Sequence, residues 1–344
     1  FKPRGRPWPG AKVALRESRI VGRAIGIKFR LEKVSVKSEP ELAEAIVRLH
    51  EKQNVSFFLV DAPAEALLTV ANAAQGKPLL LFNVSESADE LRGNQCRPHL
   101  MHTIPSYAML ADGLAQYLVT KQWRNLLLLQ GKLPRDQAFS QAFRKTAKKF
   151  GLKITEEKEF VLSNDPRQRD QNNIALLTTH QSEVVLLVDT DGEFGRNVPY
   201  QTVHPRPVVG TEGLIPSAWH WAWERHGAPQ LNQRFVKRAK RKMLGPDWAA
   251  WAAVKVIVES VLRTKSTDFE KVTGYLKSDR LTLDAYKGTP ASFRPWNNQL
   301  RQPILLHTHN AVVARAPLLG FLHPTQNLDT LGFTSAGSGC RIED

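Results

Sequence analysis

Two cysteines, three methionines and no apolar run near the ~18 residues of a membrane span mark out what this 344-residue chain is not. Cysteines as far apart as Cys96 and Cys340 exclude a disulfide-dense scaffold and are poor metal-ligand candidates. There is no Gly-x-Ser-x-Gly, no His-Glu-x-x-His, no Walker loop and no Gly-x-Gly-x-x-Gly, so neither catalysis nor a cofactor is expected. Zinc-finger spacing and the aromatic-basic ribonucleoprotein motif are also missing, which argues against nucleic acid as a partner. Acidic residues are scarce, 33 against 48 Lys and Arg, and the net charge is +15. Such a balance fits nucleic acid, an acidic membrane surface or plain solubility. The densest basic run, Lys237 to Lys242, sits in a helix expected from Gln230 and reads as a solvated face.

What is present is ordinary for a globular protein, with 42% hydrophobic and 24% charged residues. The length exceeds what one core organises, so two compact units are expected. Phe1 to Gly10 has no apolar core of the signal-peptide type; an exported chain would already have lost that segment. In an oxidising compartment Cys96 and Cys340 are compatible with one long-range disulfide that anchors the Gly/Ser-rich tail. In the chain-entropy account this bridge stabilises by about 4–5 kcal/mol. Two unrelated thiols are the alternative.

Periodicity gives the order of elements. Helical spacing over Ala11–Arg23 is followed by alternation over Ile27–Val36, read as a half-buried strand. A helix over Pro40–Lys52 leads to the buried strand Val55–Val60, which ends at Asp61. A helix over Ala64–Gln75, closed by Gly76, precedes a buried strand over Leu79–Phe82. The polar loop Asn83–Ala88 then leads on to an extended run over Leu100–Thr103. A second α/β stretch covers roughly 120 to 218, with strands at Asn125–Leu129, Leu152–Phe160, Glu183–Val188 and Arg206–Val209. Its helices are expected at Ala108–Lys121, Asp136–Phe150 and Arg167–Thr179. Three helices (Pro229–Leu244, Pro246–Thr264, Phe269–Ser278) and late strands at Ala291–Phe293, Ile304–Leu306 and Ala311–Ala314 complete the chain. A strand ahead of the first helix is missing, so that sheet edge is expected to be incomplete or to lie upstream of Phe1. Alternating β and α elements predict parallel sheets with helices on both faces, and ligands then sit beyond the carboxyl ends of the strands.

Two tandem β-α units, a return helix pair and the late segment GTPASFRPWNNQLRQPILL resemble the type I periplasmic solute-binding proteins of ABC transporters, in the leucine/isoleucine/valine-binding group. Within that group FNVSESADELRGNQCRPHLMHTIPSYAMLADGLAQYL, GTEGLIPSAWH, SFRPWNNQLRQPILL and GFLHPTQNLDTLGF resemble the subfamily associated with pyrroloquinoline quinone-dependent alcohol catabolism. The resemblance implies an α/β, two-lobed type I periplasmic-binding-protein fold, each lobe a mainly parallel sheet flanked by helices, with three interlobe crossovers. The expected lobes are 1–120 with 226–286, and 121–225 with 287–344, the tail returning to the first. It further implies a monomer in the periplasm that traps a small organic solute by hinge closure and delivers it to an inner-membrane ABC permease. A sensor or accessory protein of a quinoprotein dehydrogenase system, with or without a bound metal ion, is the alternative.

Carried onto this chain, the resemblance implies contacts from Asp61 and Ala62 and from the loop bearing Asn83, Ser85, Glu86 and Ser87. Others come from Arg135, from Asp189, Asp191 and Glu193, and from Glu212, with Trp219 supplying an aromatic wall. Ser85 and Ser87 offer hydroxyls, and backbone N–H groups before a helix can cradle a carboxylate; Ser85 as a mere helix cap is the competing reading. Glu212 in GTEG stands where relatives hold an ammonium group, or is an exposed turn acid. Asp189 to Glu193, read as a ligand loop or a surface turn, opens like a calcium loop but lacks its closing glutamate. Trp219 serves the wall or the core. The six acids together favour a ligand with a cationic group or a metal. GKLPRD replaces the Asp-x-x-x-Tyr-Gly of the resembled group, which puts a plain branched-chain amino acid in doubt.

Overall fold

The computed structural model describes residues 5–162 and 165–342. The chain forms two compact units. An amino-terminal unit comprises Gly5–Ser106, Ala218–Gln302 and the tail from Thr334, and a central unit comprises Tyr107–Ser217 with Pro303–Phe333.

The amino-terminal unit opens with helices α1 (Trp8–Ala24) and α2 (Glu39–Gln53). Strand β1 (Phe57–Val60), helix α3 (Ala64–Ala73) and strands β2 (Leu80–Asn83) and β3 (Leu100–His102) follow. The strands form a parallel sheet in the order β1-β2-β3, with Phe57 opposite Leu80 and Leu81 opposite Leu100. Every residue of β2 is buried because helices cover both faces of a parallel sheet. Leu67, Val70, Leu79, Leu81 and Leu100 form its core with Ile46 of α2. The α2 ends are legible in the sequence: Glu39 and Glu41 lie in the first turn, and Asn54 closes the helix in the left-handed region at φ 53°.

In the central unit α4 (Tyr107–Thr120), β4 (Asn125–Gln130), α5 (Pro134–Phe150) and β5 (Lys153–Glu159) come first. The short helices α6 (Pro166–Arg169) and α7 (Ile174–Leu177) lead to β6 (Val184–Val188), α8 (Val198–Gln201) and β7 (Val208–Gly210). Strand order is β5-β4-β6-β7, all parallel. A second, antiparallel sheet joins β8 (Ile215–Ser217), β9 (Ile304–His307) and β10 (Val312–Ala316). Helices α9 (Ala228–Ala239), α10 (Gly245–Thr264) and α11 (Phe269–Leu276) return to the amino-terminal unit. There α10 packs against α1 with Trp248 and Trp251 buried.

The α/β architecture of parallel sheets between helices agrees with the sequence; three local expectations do not, and one strand was not expected. Within Ile27–Val36, Ile27, Phe29 and Leu31 are half-buried between exposed Lys28, Arg30 and Glu32, yet among the described residues no strand pairs with it. Period-two burial sets side-chain direction; a strand also needs a neighbour to bond. The helix expected over Arg167–Thr179 is broken, because the side chain of Asn172 bonds the backbone of Val161 and Asn173 caps α7 through Leu176 N–H at 3.3 Å. Ala291–Phe293 makes only isolated bridges, to Leu283 and Leu300. Strand β8 carried no sequence signal, being three residues long with a central proline.

The passages between units fall at 106/107, 217/218, 302/303 and 333/334, against 120, 225 and 286 from the sequence. Helix α4 packs on α5 and on β8–β10, so it joins the central unit from its first residue. Gln299 bridges His102 in parallel beside β3, which holds the segment before Gln302 in the amino-terminal unit. Cys96 and Cys340 are disulfide-bonded, tying the tail to the same unit.

Candidate functional site

In the amino-terminal unit the loop after β2 is built around Asn83, whose side chain is fully buried. Its Oδ1 accepts from the N–H groups of Ser85 (3.2 Å) and Glu86 (2.9 Å). Its Nδ2 donates to Glu86 O (2.8 Å) and to His102 Nδ1 (3.1 Å). With Nδ1 accepting, His102 donates from Nε2 to Leu91 O at 3.1 Å. Burial, and then the Arg92 charge, hold the His102 pKa well below the ordinary imidazole value, so the ring is neutral. Arg92 is buried and donates to Glu86 O, Ala88 O, Ile104 O and Gln299 Oε1 at 2.9–3.0 Å. A guanidinium can fix four acceptors at once because its donors form a rigid fork.

Asn83 and Glu86 therefore hold the loop's own backbone: Glu86 Oε1 accepts from Ala88 N–H at 3.0 Å. The helix that follows is a single 3₁₀ turn, Asp89–Arg92, whose cap residue is Ala88, so Ser85 does not cap it. The hydroxyls of Ser85 and Ser87 are half-buried and make no hydrogen bond among the described residues. At the end of β1, Asp61 pairs with Arg6 at 3.2 Å and is half-buried, as is Ala62. Trp219 is a core residue rather than a wall: it is buried, stacked on Trp248 at 6.3 Å, and its indole N–H donates to Asn232 Oδ1 at 3.0 Å. A flat apolar ring with a satisfied N–H gains more from burial than from exposure.

In the central unit the strand order reverses direction between β4 and β6, the place where open parallel sheets present a crevice. Asp136, in the first turn of α5, bridges the two loops there. Its Oδ1 accepts from Thr190 N–H (2.8 Å) and Oγ1 (2.7 Å), and its Oδ2 from Leu133 N–H (3.2 Å). Asp189 is fully buried, and its carboxylate accepts from Gly192 N–H (3.0 Å) and Gly195 N–H (2.6 Å). Its own N–H donates to Thr211 Oγ1 at 2.9 Å, tying in the loop after β7. A Cβ at Gly195 would sit tightly, 3.0 Å from Leu187 Cδ2, 3.1 Å from Asp189 Oδ2 and 3.2 Å from Glu212 Cγ, so Asp189 and Glu212 both flank this glycine. Arg135, Asp191 and Glu193 are exposed, and Glu212 is half-buried.

Each unit thus brings its own set of expected residues to the carboxyl ends of its parallel strands. The six acids do not act as one group, since Asp189 and Glu86 bond their own loops and Asp61 is ion-paired. Among the described residues no three His, Cys, Asp or Glu side chains converge as a metal ion would need. Arg92, His102 and Gln299 escaped the sequence reading because their partners lie up to 207 residues away. Asp136 left a local trace: an acid two residues after Pro134 is a helix-start signal.

Residues 8–172 match a family profile described as periplasmic binding protein. No curated protein matches. Solved structures match over nearly the whole chain. A periplasmic binding protein from Burkholderia mallei has 15% identity and a TM-score of 0.70, covering 97% of this chain and 94% of its own. An amino acid ABC transporter substrate-binding protein from Pseudomonas fluorescens Pf-5 has 12% identity and a TM-score of 0.74, covering 98% and 94%. An ABC transporter solute-binding protein from R. palustris, solved with benzoate, has 10% identity and a TM-score of 0.70, covering 98% and 97%. The fold is that of the type I periplasmic binding proteins. At these identities the likeness is one of fold.

Proposed function

We propose that this chain is a periplasmic solute-binding protein of the leucine-binding-like type I family, the capture component of an ABC-type uptake system rather than an enzyme. It acts as a monomer, takes a small organic solute between its two units by hinge closure and passes it to an inner-membrane permease. The observation that carries this reading is the pair of loop sets at the carboxyl ends of the parallel strands. Each is held rigid by buried side chains, Asn83 with Arg92 in one unit and Asp136 with Asp189 in the other. A rigid frame with a few outward polar groups is what small-ligand sites need.

The proposed ligand contacts are Ser85, Ser87, Asp61 and Ala62 in the amino-terminal unit and Arg135, Asp191, Glu193 and Glu212 in the central unit. Hydroxyls and the ion-paired Asp61 from one unit, with acids and one guanidinium from the other, suit a polar organic solute, an amino or hydroxy acid before an apolar one. Benzoate in the R. palustris relative places aromatic acids in the same screen. The segments from Phe82 to Leu118 and from Gly320 to Phe333 support a link to pyrroloquinoline quinone-dependent alcohol oxidation.

The test is a thermal-shift screen of amino acids, amines, aromatic acids and alcohol-derived acids, followed by small-angle scattering with the hit. A stabilising solute that also compacts the protein is expected, with affinity lost in Ser87→Ala and Glu212→Ala. A hit without compaction, or affinity unchanged in both variants, overturns the site. Affinity capture that retains a quinoprotein dehydrogenase in place of permease subunits overturns the transport role.

A further inference from the structure

Two adjoining helices of the amino-terminal unit present cations and no acid among their outward side chains. Helices α1 and α9 pack together in the amino-terminal unit. Their seam contains the one acid of α1, Glu17, which pairs with Arg234 Nε at 2.7 Å and accepts the Trp251 indole N–H at 3.0 Å. Outward from that seam α1 presents Arg16, Arg19, Ile20 and Arg23, spaced i, i+3, i+4, i+7 and therefore on one face. Helix α9 repeats the start of that spacing with Gln233, Val236 and Lys237, and Lys240 follows as its C-cap. All eight side chains are exposed, none is acidic, and Ile20 is 78% exposed. Among the described residues Arg16, Arg19, Arg23, Lys237 and Lys240 make no ion pair and no side-chain hydrogen bond.

Complementing a helix dipole accounts for cations in a last turn only. That covers Arg23 and Lys237 but not Arg16 and Arg19, which sit mid-helix. Solubility accounts for charge but not for an isoleucine left bare among three arginines. Guanidinium groups pair with phosphate bidentately, and aliphatic side chains between basic ones insert shallowly at a headgroup boundary. A protein partner would need an apolar centre with a polar rim; here Ile20 and Val236 stand singly among cations.

We propose that the α1/α9 face docks on an anionic phospholipid bilayer surface, holding the protein near a membrane whether or not solute is bound. Each basic residue near such a surface raises partitioning roughly fivefold, and salt weakens it.

Co-sedimentation with vesicles of phosphatidylglycerol and phosphatidylcholine in equal parts tests this, against pure phosphatidylcholine and at low and high salt. Binding to the anionic vesicles alone, lost at high salt, is expected. The triple variant Arg16→Glu/Arg19→Glu/Arg23→Glu should lose binding by at least about a hundredfold. A control of equal charge change on exposed positions elsewhere, Arg48→Glu/Lys145→Glu/Lys148→Glu, should lose only a few-fold. Ile20→Ser should weaken binding to vesicles and leave retention on immobilised polyglutamate unchanged. Equal loss in the triple variant and its control, or equal binding to both vesicle types, overturns the proposal. Strong retention on polyglutamate without vesicle binding also overturns it, in favour of an acidic protein partner. No solute is needed, so the outcome is independent of the uptake reading.

Discussion

Replacing Asn83 by aspartate should reverse the sign of the contribution that His102 makes to the acid response of the amino-terminal unit. In the wild type the depressed pKa of His102 means that the unfolded chain takes up the proton first. Its contribution is complete above the ordinary imidazole value and is lost as pH falls through about 6.5, with a slope up to about 1.4 kcal/mol per pH unit. The cause is burial first and the Arg92 charge second, and the Asn83 amide, which donates to Nδ1, offers a proton there no acceptor. In Asn83→Asp the loop keeps its acceptor for Ser85 and Glu86, but Nδ1 now faces a carboxylate. That raises the imidazole pKa, so stability from this pair is present below about pH 6.5 and lost as pH rises through the new value. Asn83→Ala isolates the loop term. It orphans two buried groups, Glu86 N–H and His102 Nδ1, at about 1–3 kcal/mol each, for a total near 4 kcal/mol. Glu86 O keeps Arg92, and Ser85 N–H is exposed enough to find water. Urea unfolding followed by tryptophan fluorescence reads this unit, which holds every tryptophan but Trp123. A loss under about 1 kcal/mol for alanine, or slopes of the same sign in wild type and Asn83→Asp, refutes the argument.

Other outcomes follow from the same contacts. Asp136→Ala removes the acceptor of three donors and should destabilise the central unit by about 2–3 kcal/mol, read by urea unfolding of the variant with a Trp123 probe. Gly195→Ala forces a Cβ against Asp189 and Glu212. It should destabilise by about 1–3 kcal/mol and weaken binding of the solute found by screening, as calorimetric titration would show. Reduction of Cys96–Cys340, or Cys340→Ser, frees the tail from a loop of 244 residues and should lower stability by up to about 5 kcal/mol in urea.

The fold was legible because most of its signals are local. Buried runs such as Leu126–Leu129 and Val184–Val188, each followed by a polar loop, state both the strand and its parallel neighbours. The failures share a cause as well. Ile27–Glu32 has the alternating burial of a strand and lacks a partner, which no stretch of sequence can announce about itself. The Asn172-Asn173 pair broke a helix because its side chains found backbone groups that periodicity does not count. For the candidate site, sequence reasoning reached loops that the structure places at the carboxyl ends of parallel strands, yet could not divide residues that bind a loop from residues that do not. Arg92 and Gln299, 207 positions apart, decide that division in one unit.

The division follows a common logic in both units. A chain leaving the carboxyl end of a buried strand exposes N–H groups that its own ladder no longer pairs, and they must be bonded before the loop can hold a shape. The first short polar side chain does this: Asn83 bonds residues two and three ahead, and Asp189 bonds residues three and six ahead. Such a residue is consequently a poor candidate for ligand contact even though it lies at the expected place. The residues a few positions on, Ser85 and Ser87 in one unit and Asp191 and Glu193 in the other, face outward on a frame already made. Solute choice in the proposed role therefore rests on these later positions, while changes at Asn83 or Asp189 act first on folding. In the proposed role, the hydroxyls at 85 and 87 and the carboxylates at 191 and 193, rather than the acid at 189 and the amide at 83, bear on the charge of the ligand.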